Sequence, residues 1–177
     1  VAWDQLSGSN PTLYYGETDE TSNWTKWEAS AKPQKTVVSR GMNNHFVRLK
    51  GLRPNTVFYF KIKDSNGSTK VHSFQTAPAS PYTRLSIIAG GDSRNHRSAR
   101  ISANKMVGKL RPHFVLFGGD MTASDNNTQW LEWFDDWQCT ITDDRRLTPI
   151  VVTRGNHEYS NKTLVDLFDV QTNDLFY

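Results

Sequence analysis

Cysteine is almost absent from this chain, since Cys139 is the single one among 177 residues. A disulfide within the chain is therefore excluded, as are a cysteine-based zinc site and a CxxC redox site. Long apolar runs are absent too, because no stretch approaches the roughly 20 residues that a membrane-spanning helix needs. The sequence therefore predicts no membrane partner, and it predicts a buried, inert thiol at Cys139.

Charge of one sign is not concentrated anywhere in the chain. The formal net charge is +3, and the lysines and arginines are scattered. Nucleic-acid binders usually cluster their basic residues on one face, so the sequence predicts no nucleic-acid partner. With 36% hydrophobic and 22% charged residues the composition is that of a folded soluble protein, and the length allows one large or two small domains.

Residues 1–79 have the pattern of an all-β domain. Short runs rich in Val, Tyr, Phe and Thr alternate with turn signals, as a β-sandwich requires. The turn at 64–67 favours a hairpin, because its Asn-Gly pair tolerates positive φ. The predicted strands cover residues 12–16, 36–38, 45–49, 56–62 and 71–75.

The stretch LKGLRPNTVFYFKI, residues 49–62, resembles the fibronectin type III pattern, in which a Leu-rich turn with proline leads into a Tyr-bearing strand. The resemblance implies a fibronectin type III-like β-sandwich over 1–79. The following TAPASPY, residues 76–82, contains two prolines, which stiffen an extended connection and cannot donate to a sheet. We therefore expect a linker at 80–83 and a second domain over 84–177.

From residue 84 the pattern changes to alternating strands and helices. Apolar runs predict strands at 85–89, 113–117 and 149–153, and residues 98–110 and 128–138 have helical spacing. The aromatic residues of the second helix are expected to form a packing face; they are Trp130, Trp133, Phe134 and Trp137. The alternation predicts right-handed crossovers and a parallel sheet.

Each predicted strand of this second region leads into a glycine that is followed by a polar side chain. The motifs are Gly91-Asp92, Gly119-Asp120 and Gly155-Asn156-His157. Parallel strands end at the same edge of a sheet, where ligands bind, so these polar side chains are predicted to converge. Carboxylate and amide oxygens suit divalent metal ions.

A pair of such ions would need anions between them. Two divalent ions about 3.5 Å apart repel by roughly 19 kcal/mol at an effective dielectric constant of about 20. Only anions bound between and around the ions offset a repulsion of that size. Asp120, in the central motif, is the natural bridging ligand.

The three motifs resemble the first three of five blocks in the calcineurin-like metallophosphoesterases, and GNHE at 155–158, after a fibronectin-like domain, is most similar to the purple acid phosphatase branch. The resemblance implies the first, incomplete half of an α/β metallophosphoesterase domain. It implies that Asp92 binds one metal, Asp120 bridges and Asn156 binds the second. His157 would face the substrate, stabilising phosphoryl charge or protonating the leaving group. The implied reaction is hydrolysis of phosphoesters by a metal-bound hydroxide.

The sequence departs from the purple acid phosphatase pattern at two positions. Ala123 stands where those enzymes have the tyrosine that binds the ferric ion, so we expect two divalent ions, Mn, Zn or Fe, instead of a ferric-tyrosinate site. Arg94 stands where the wider superfamily often has a histidine ligand. Its guanidinium suits the oxygens of a phosphate, and the alternative is an ion pair with the nearby acids.

The last two blocks of the family, with three histidines, would lie beyond residue 177. The resemblance therefore implies an inactive chain whose partners are a phosphoester substrate and the C-terminal remainder of the catalytic domain, in the same precursor or as a second chain. It also implies a secreted or periplasmic location. Two alternatives stay open: a non-catalytic fragment or interaction protein, and a phosphodiesterase or phosphotriesterase on the same scaffold.

Overall fold

The N-terminal part of the chain forms antiparallel β-sheets in a computed structural model, which describes residues 1–19, 27, 29–170 and 172. One sheet has the strand order β1-β5-β4; in the other, β3-β2-β6-β7 are neighbours and β8 also pairs with β6. The strands are β1 Ala2–Asp4, β2 Thr12–Gly16, β3 Ala29–Ala31, β4 Lys35–Ser39, β5 Met42–Phe46, β6 Val57–Asp64, β7 Gly67–Ser68 and β8 His72–Gln75.

The two sheets share a hydrophobic core. Leu13, Phe60 and Ile62 are buried from the second sheet, and Trp3 of the first sheet packs against them. The predicted β character is confirmed for the described residues of this region, as is the hairpin at 64–67, because β6 pairs with β7 and β8 in antiparallel register. The finer assignment to the fibronectin type III fold stays a prediction.

One strand lies elsewhere than the sequence predicts. The strand predicted at 45–49 is β5, Met42–Phe46, and its alternate residues Met42, Asn44 and Phe46 are buried. A two-residue turn at Arg40 and Gly41, with φ of 52° and 80°, closes the β4–β5 hairpin. The two asparagines in β5 lower its strand propensity, so the sequence does not indicate this strand well. Pairing with β1 and β4 overrides the weak local preference.

The second region alternates strands and helices, as predicted. The three strands are parallel in the order β11-β10-β9. Helix α3 is an element that the sequence reading missed. The elements are β9 Ile87–Gly90, α1 Arg97–Leu110, β10 Phe114–Phe117, α2 Asn127–Trp137, β11 Ile150–Val152 and α3 Asn161–Phe168.

The core of this region is built around the aromatic face of α2, as predicted. Trp130 and Trp133 are completely buried, with Leu164 of α3 and Val152 of β11 beside them. Met42, from the β4–β5 hairpin of the first region, belongs to the same cluster. The two regions therefore share part of one core.

One face of the parallel sheet is bare among the residues that the structure describes. Ala89, Leu116 and Val151 pair in register across β9, β10 and β11, and all three are exposed. Leu116 and Val151 keep 40% and 50% of their surface accessible, whereas Val115 of the opposite face keeps 3%. Parallel sheets are normally covered on both faces, so this apolar face is unusual.

Candidate active site at the strand ends

The turns after the three parallel strands lie side by side and are hydrogen-bonded to one another. The amide of Gly118 donates to the carbonyl of Gly90 at 2.7 Å, and the amide of Asp92 donates to the carbonyl of Gly119 at 2.9 Å. The amide of Arg94 donates to the carbonyl of Asp120 at 3.0 Å. The first two turns therefore form one unit, in which the predicted Asp92 and Asp120 are neighbours.

The backbone of this unit is held in an uncommon conformation. Asp92, Arg94 and Asp120 have φ of 54°, 38° and 53°, in the left-handed region that side chains other than glycine adopt only occasionally. Such residues cluster at functional sites, where the surrounding structure compensates for the strain. The polar side chains of the turns are thus directed by the tertiary structure against local preference.

Asp120 joins the third turn to the first two. Its side chain is largely buried, and Oδ1 accepts the backbone amide of His157 at 2.9 Å. A Cβ added to Gly155 would lie 2.0 Å from the same oxygen, so the turn can approach Asp120 only because residue 155 is glycine. Asn156 is exposed between these two anchored residues.

His157 is oriented by a backbone carbonyl. Its Nδ1 lies 2.7 Å from the carbonyl oxygen of Ala123. Since a carbonyl oxygen only accepts, Nδ1 carries a hydrogen and donates it, which leaves Nε2 as the nitrogen that can exchange a proton. Ala123, at the position where the sequence departs from the resembled pattern, thus orients His157 through its backbone carbonyl.

Arg94 connects the two predicted metal-binding carboxylates. Its Nε donates to Asp92 Oδ1 at 2.5 Å, and its Nη2 lies 3.4 Å from Asp120 Oδ2. Asp92 is the more exposed partner, with 66% of its side chain accessible against 11% for Asp120. In this structure Arg94 forms the ion pair with acids that the sequence allowed as the alternative to a phosphate contact.

Glu158 is a structural centre of the site that the sequence reading left without a role. It is 1% exposed, and its carboxylate accepts three backbone amides: Asp120 at 2.9 Å, Met121 at 2.7 Å and Gly155 at 2.8 Å. One side chain thereby clamps the second turn to the third. The GNHE motif contained the residue, but only the tertiary structure shows that its carboxylate points inward.

A buried ion pair supports the first turn from below. Arg100 donates to the backbone carbonyl of Arg94 and, through Nη2, to Asp136 Oδ2 at 2.6 Å. Arg97 donates to the same carboxylate at 2.8 Å. Burial acts to raise the pKa of Asp136, but hydrogen bonds from Arg97 and Arg100 outweigh it, so the pKa lies below its usual value.

The donor set fits a cation but does not complete a metal site. Asp92 and Asp120 both reach one guanidinium, so two carboxylates already meet around a positive charge. Within the described part of the chain, no group of three or more His, Cys, Asp or Glu side chains could hold a metal ion. The two carboxylates and the Asn156 amide supply oxygen ligands of the kind that divalent ions bind. They are fewer than a complete metal site requires.

Similarity to known proteins agrees with this geometry. Residues 1–76 match the family described as purple acid phosphatase, N-terminal domain, and residues 87–176 match the family described as calcineurin-like phosphoesterase. No curated protein matches the chain. In the described residues no helix is both long enough and apolar enough to span a membrane.

Two solved structures share the fold. The purple acid phosphatase PPD1 from yellow lupin (Lupinus luteus) seeds has a TM-score of 0.61 and 16% identity over 89% of this chain and 32% of its own. PhoD has a TM-score of 0.59 and 14% identity over 89% of this chain and 34% of its own. This chain thus spans about a third of the length of either protein. The phosphoesterase match includes all three strand-end motifs, and the chain belongs to the calcineurin-like phosphoesterase family.

Proposed function

We propose that these residues form half of a binuclear metal site that hydrolyses phosphoesters. The observation that carries the proposal is the position of Asp120, where all three strand-end turns meet. One of its oxygens accepts from His157, and the other faces Arg94, which also holds Asp92. A carboxylate with neighbours on both sides is suited to bridge two cations.

Asp92 would hold the first ion and Asn156 the second, with Asp120 between them. Bound divalent ions polarise phosphoryl oxygens and activate water for attack on phosphorus. Manganese, zinc or iron in the divalent state suits oxygen donors, and Ala123 offers no phenolate for a ferric ion. The clamp of Glu158 holds the bridging residue still, which keeps the site organised before substrate arrives.

His157 is the residue proposed to donate a proton or hydrogen bond to the substrate. With Nδ1–H committed to the Ala123 carbonyl, Nε2 is the nitrogen left to donate to a phosphoryl or leaving oxygen. A fixed tautomer has value here because the ring needs no rearrangement before it acts.

Arg94 is proposed to contact the substrate when Asp92 and Asp120 bind the metal ions and no longer bind its guanidinium. The guanidinium is 38% exposed and holds two carboxylates that the ions would neutralise instead. Its planar fork then matches two oxygens of a phosphoryl group.

We further propose that more protein completes the domain, in the same precursor or as a second chain. A single catalytic zinc ion takes about three protein ligands, so two ions need more than Asp92, Asp120 and Asn156 provide. The exposed face of Ala89, Leu116 and Val151 is a surface that such a remainder would cover. The proposal extends to a fibronectin type III-like first domain over 1–79, a linker at 80–83 and a secreted or periplasmic location. Fractionation of cells expressing the tagged protein tests the location.

The test uses the complete catalytic domain that contains these residues. Metal content is measured by elemental analysis, and hydrolysis with nitrophenyl mono- and diesters, which also separates phosphomonoesterase from phosphodiesterase activity. Asp120→Asn should lose both ions and lower the rate by about a hundredfold or more. Asp135→Asn, at an exposed position of α2, is the matched control and should change neither. Full metal content and rate in Asp120→Asn would refute the proposal, and a metal-free wild type would favour a non-catalytic protein.

A further inference from the structure

Arg40, at the tip of the β4–β5 hairpin, reaches from the first region into the second. Its Nε donates to Asp125 Oδ1 at 2.9 Å, and its Nη2 donates to Asp125 Oδ2 at 2.7 Å. The Asp125 side chain is completely buried, whereas Arg40 is 28% exposed. This two-point geometry is the strongest arrangement of arginine and carboxylate.

Asp125 gathers three more donors from separate elements. Trp130 Nε1 of α2 donates to Oδ1 at 2.7 Å, and Thr163 Oγ1 of α3 donates to Oδ2 at 2.8 Å. The backbone amide of Tyr159 lies 3.3 Å from Oδ2. Burial acts to raise the pKa of Asp125, but hydrogen bonds from Arg40, Trp130 and Thr163 outweigh it and hold the pKa below its usual value.

Asp125 lies next to the contact that orients the proposed catalytic histidine. It lies two positions after Ala123, whose carbonyl binds His157, and it accepts from Tyr159, two positions after His157. The carboxylate therefore joins the segment 123–125 to the segment 157–159 next to that hydrogen bond. Arg40 supplies the positive charge that makes a buried carboxylate tolerable there.

We propose that Arg40 is a positioning residue, through which the N-terminal β-region holds the His157 turn in place by way of Asp125. The inference rests on the proposed function, because it assigns Arg40 a role in the same site. Without Arg40 the buried carboxylate keeps its other hydrogen-bond donors but loses its counter-charge, so the two segments separate or let water in, and His157 moves from its position. Misplacement of a reacting group by about 1 Å can cost a hundredfold in rate.

The test compares two ion pairs that join the same two regions. Arg40→Ala removes the pair to Asp125. Arg48→Ala is the matched control, because Arg48 also crosses to the second region, donating to Asp169 Oδ2 at 2.7 Å and to its carbonyl at 2.6 Å, outside the His157 turn. In the complete catalytic domain, Arg40→Ala should lower kcat about tenfold to a hundredfold with KM within about twofold. Arg40→Lys should recover part of the loss, and Arg48→Ala should keep the wild-type kcat.

A double variant tests whether the effect passes through Asp125. Arg40→Ala combined with Asp125→Asn should lose no more activity than the worse single variant, because both remove one interaction. Independent, multiplying losses would overturn the inference. So would a normal kcat in folded Arg40→Ala, or an equal loss of kcat in Arg48→Ala.

Amide hydrogen exchange measured by mass spectrometry decides the matter without any activity. In the 177-residue chain, Arg40→Ala should raise exchange about tenfold in the segments 121–125 and 157–160, while Arg48→Ala leaves them protected. Unchanged protection in Arg40→Ala, or equal loss in Arg48→Ala, contradicts the inference. If the wild-type domain hydrolyses no phosphoester, the proposed function fails, and the exchange result still confirms or rejects the coupling.

Discussion

The clamp formed by Glu158 offers a direct test of how the strand-end turns are held together. Glu158→Gln keeps the size and shape of the side chain but replaces one acceptor oxygen with a donor. In the structure Oε2 accepts from Asp120 and Gly155, and Oε1 accepts from Met121. If the glutamine oxygen takes the position of Oε2, its NH₂ group takes the position of Oε1 and faces the amide of Met121. Two donors then point at each other.

The loss of stability expected for Glu158→Gln follows from these contacts. One charge-assisted hydrogen bond is lost, worth about 1.5–3 kcal/mol, and the two that remain become weaker neutral bonds. Glutamine also removes the cost of burying a charge, which offsets part of the loss. The expected decrease in the free energy of unfolding is about 2–3 kcal/mol.

Urea unfolding, followed by the near-ultraviolet circular dichroism of the buried tryptophans of α2, measures this change. With a slope of about 2 kcal/mol per molar urea, the midpoint should fall by about 1–1.5 M at unchanged slope. Glu132→Gln is the control, because Glu132 lies on the surface of α2, and its ion pair to Arg97 spans 3.6 Å. It should change the free energy by less than about 0.5 kcal/mol. A Glu158→Gln midpoint equal to that of Glu132→Gln would show that the three amides do not depend on the carboxylate.

Two further predictions concern backbone geometry and pH. Gly119→Ala should cost about 3–5 kcal/mol of stability or prevent folding, because φ is 84° and the new Cβ would lie 2.1 Å from the amide nitrogen of Gly155. Gly51→Ala has a similar φ of 68° with no atom within 4 Å, so thermal unfolding should show a loss of only about 1–2 kcal/mol; equal losses would contradict the steric argument. For pH, the lowered pKa values of Asp125 and Asp136 mean that the unfolded state takes up protons first as the pH falls. The free energy of unfolding, measured by urea titration, should therefore hold steady above about pH 5 and decrease below about pH 4; a rise in stability on acidification would contradict these assignments.

Much of the fold could be predicted from local sequence because its signals are local. Alternating apolar residues and the Asn-Gly pair predict strands and a turn in the first region, and apolar runs ending in glycine predict the strands of the second. Each signal acts on the backbone of the residues that carry it. Strand β5 could not be predicted well, because Asn43 and Asn44 are poor strand formers that only pairing with β1 and β4 keeps extended. Helix α3 was missed, although its Leu164 and Leu167 are buried in the core.

The candidate site divides in the same way. Asp92, Asp120 and Asn156 stand out in the sequence because each follows a glycine at a strand end, and His157 comes directly after Asn156. The parallel sheet then brings their turns to one edge. The sequence did not indicate which carboxylate would be buried. It also left Arg94 with two possible partners, and in the structure that side chain binds Asp92 and Asp120.

The sequence alone therefore determined which residue types stand at the ends of the strands, and with them the family. The supports of the site were decided only by tertiary structure: the inward carboxylate of Glu158, the link from Arg40 to Asp125, and the place of Met42 in the core of the other region. The physical reason is that a strand-end motif consists of a few consecutive residues, whereas burial and ion pairing depend on distant partners, 85 positions apart for Arg40 and Asp125 and 121 for Arg48 and Asp169.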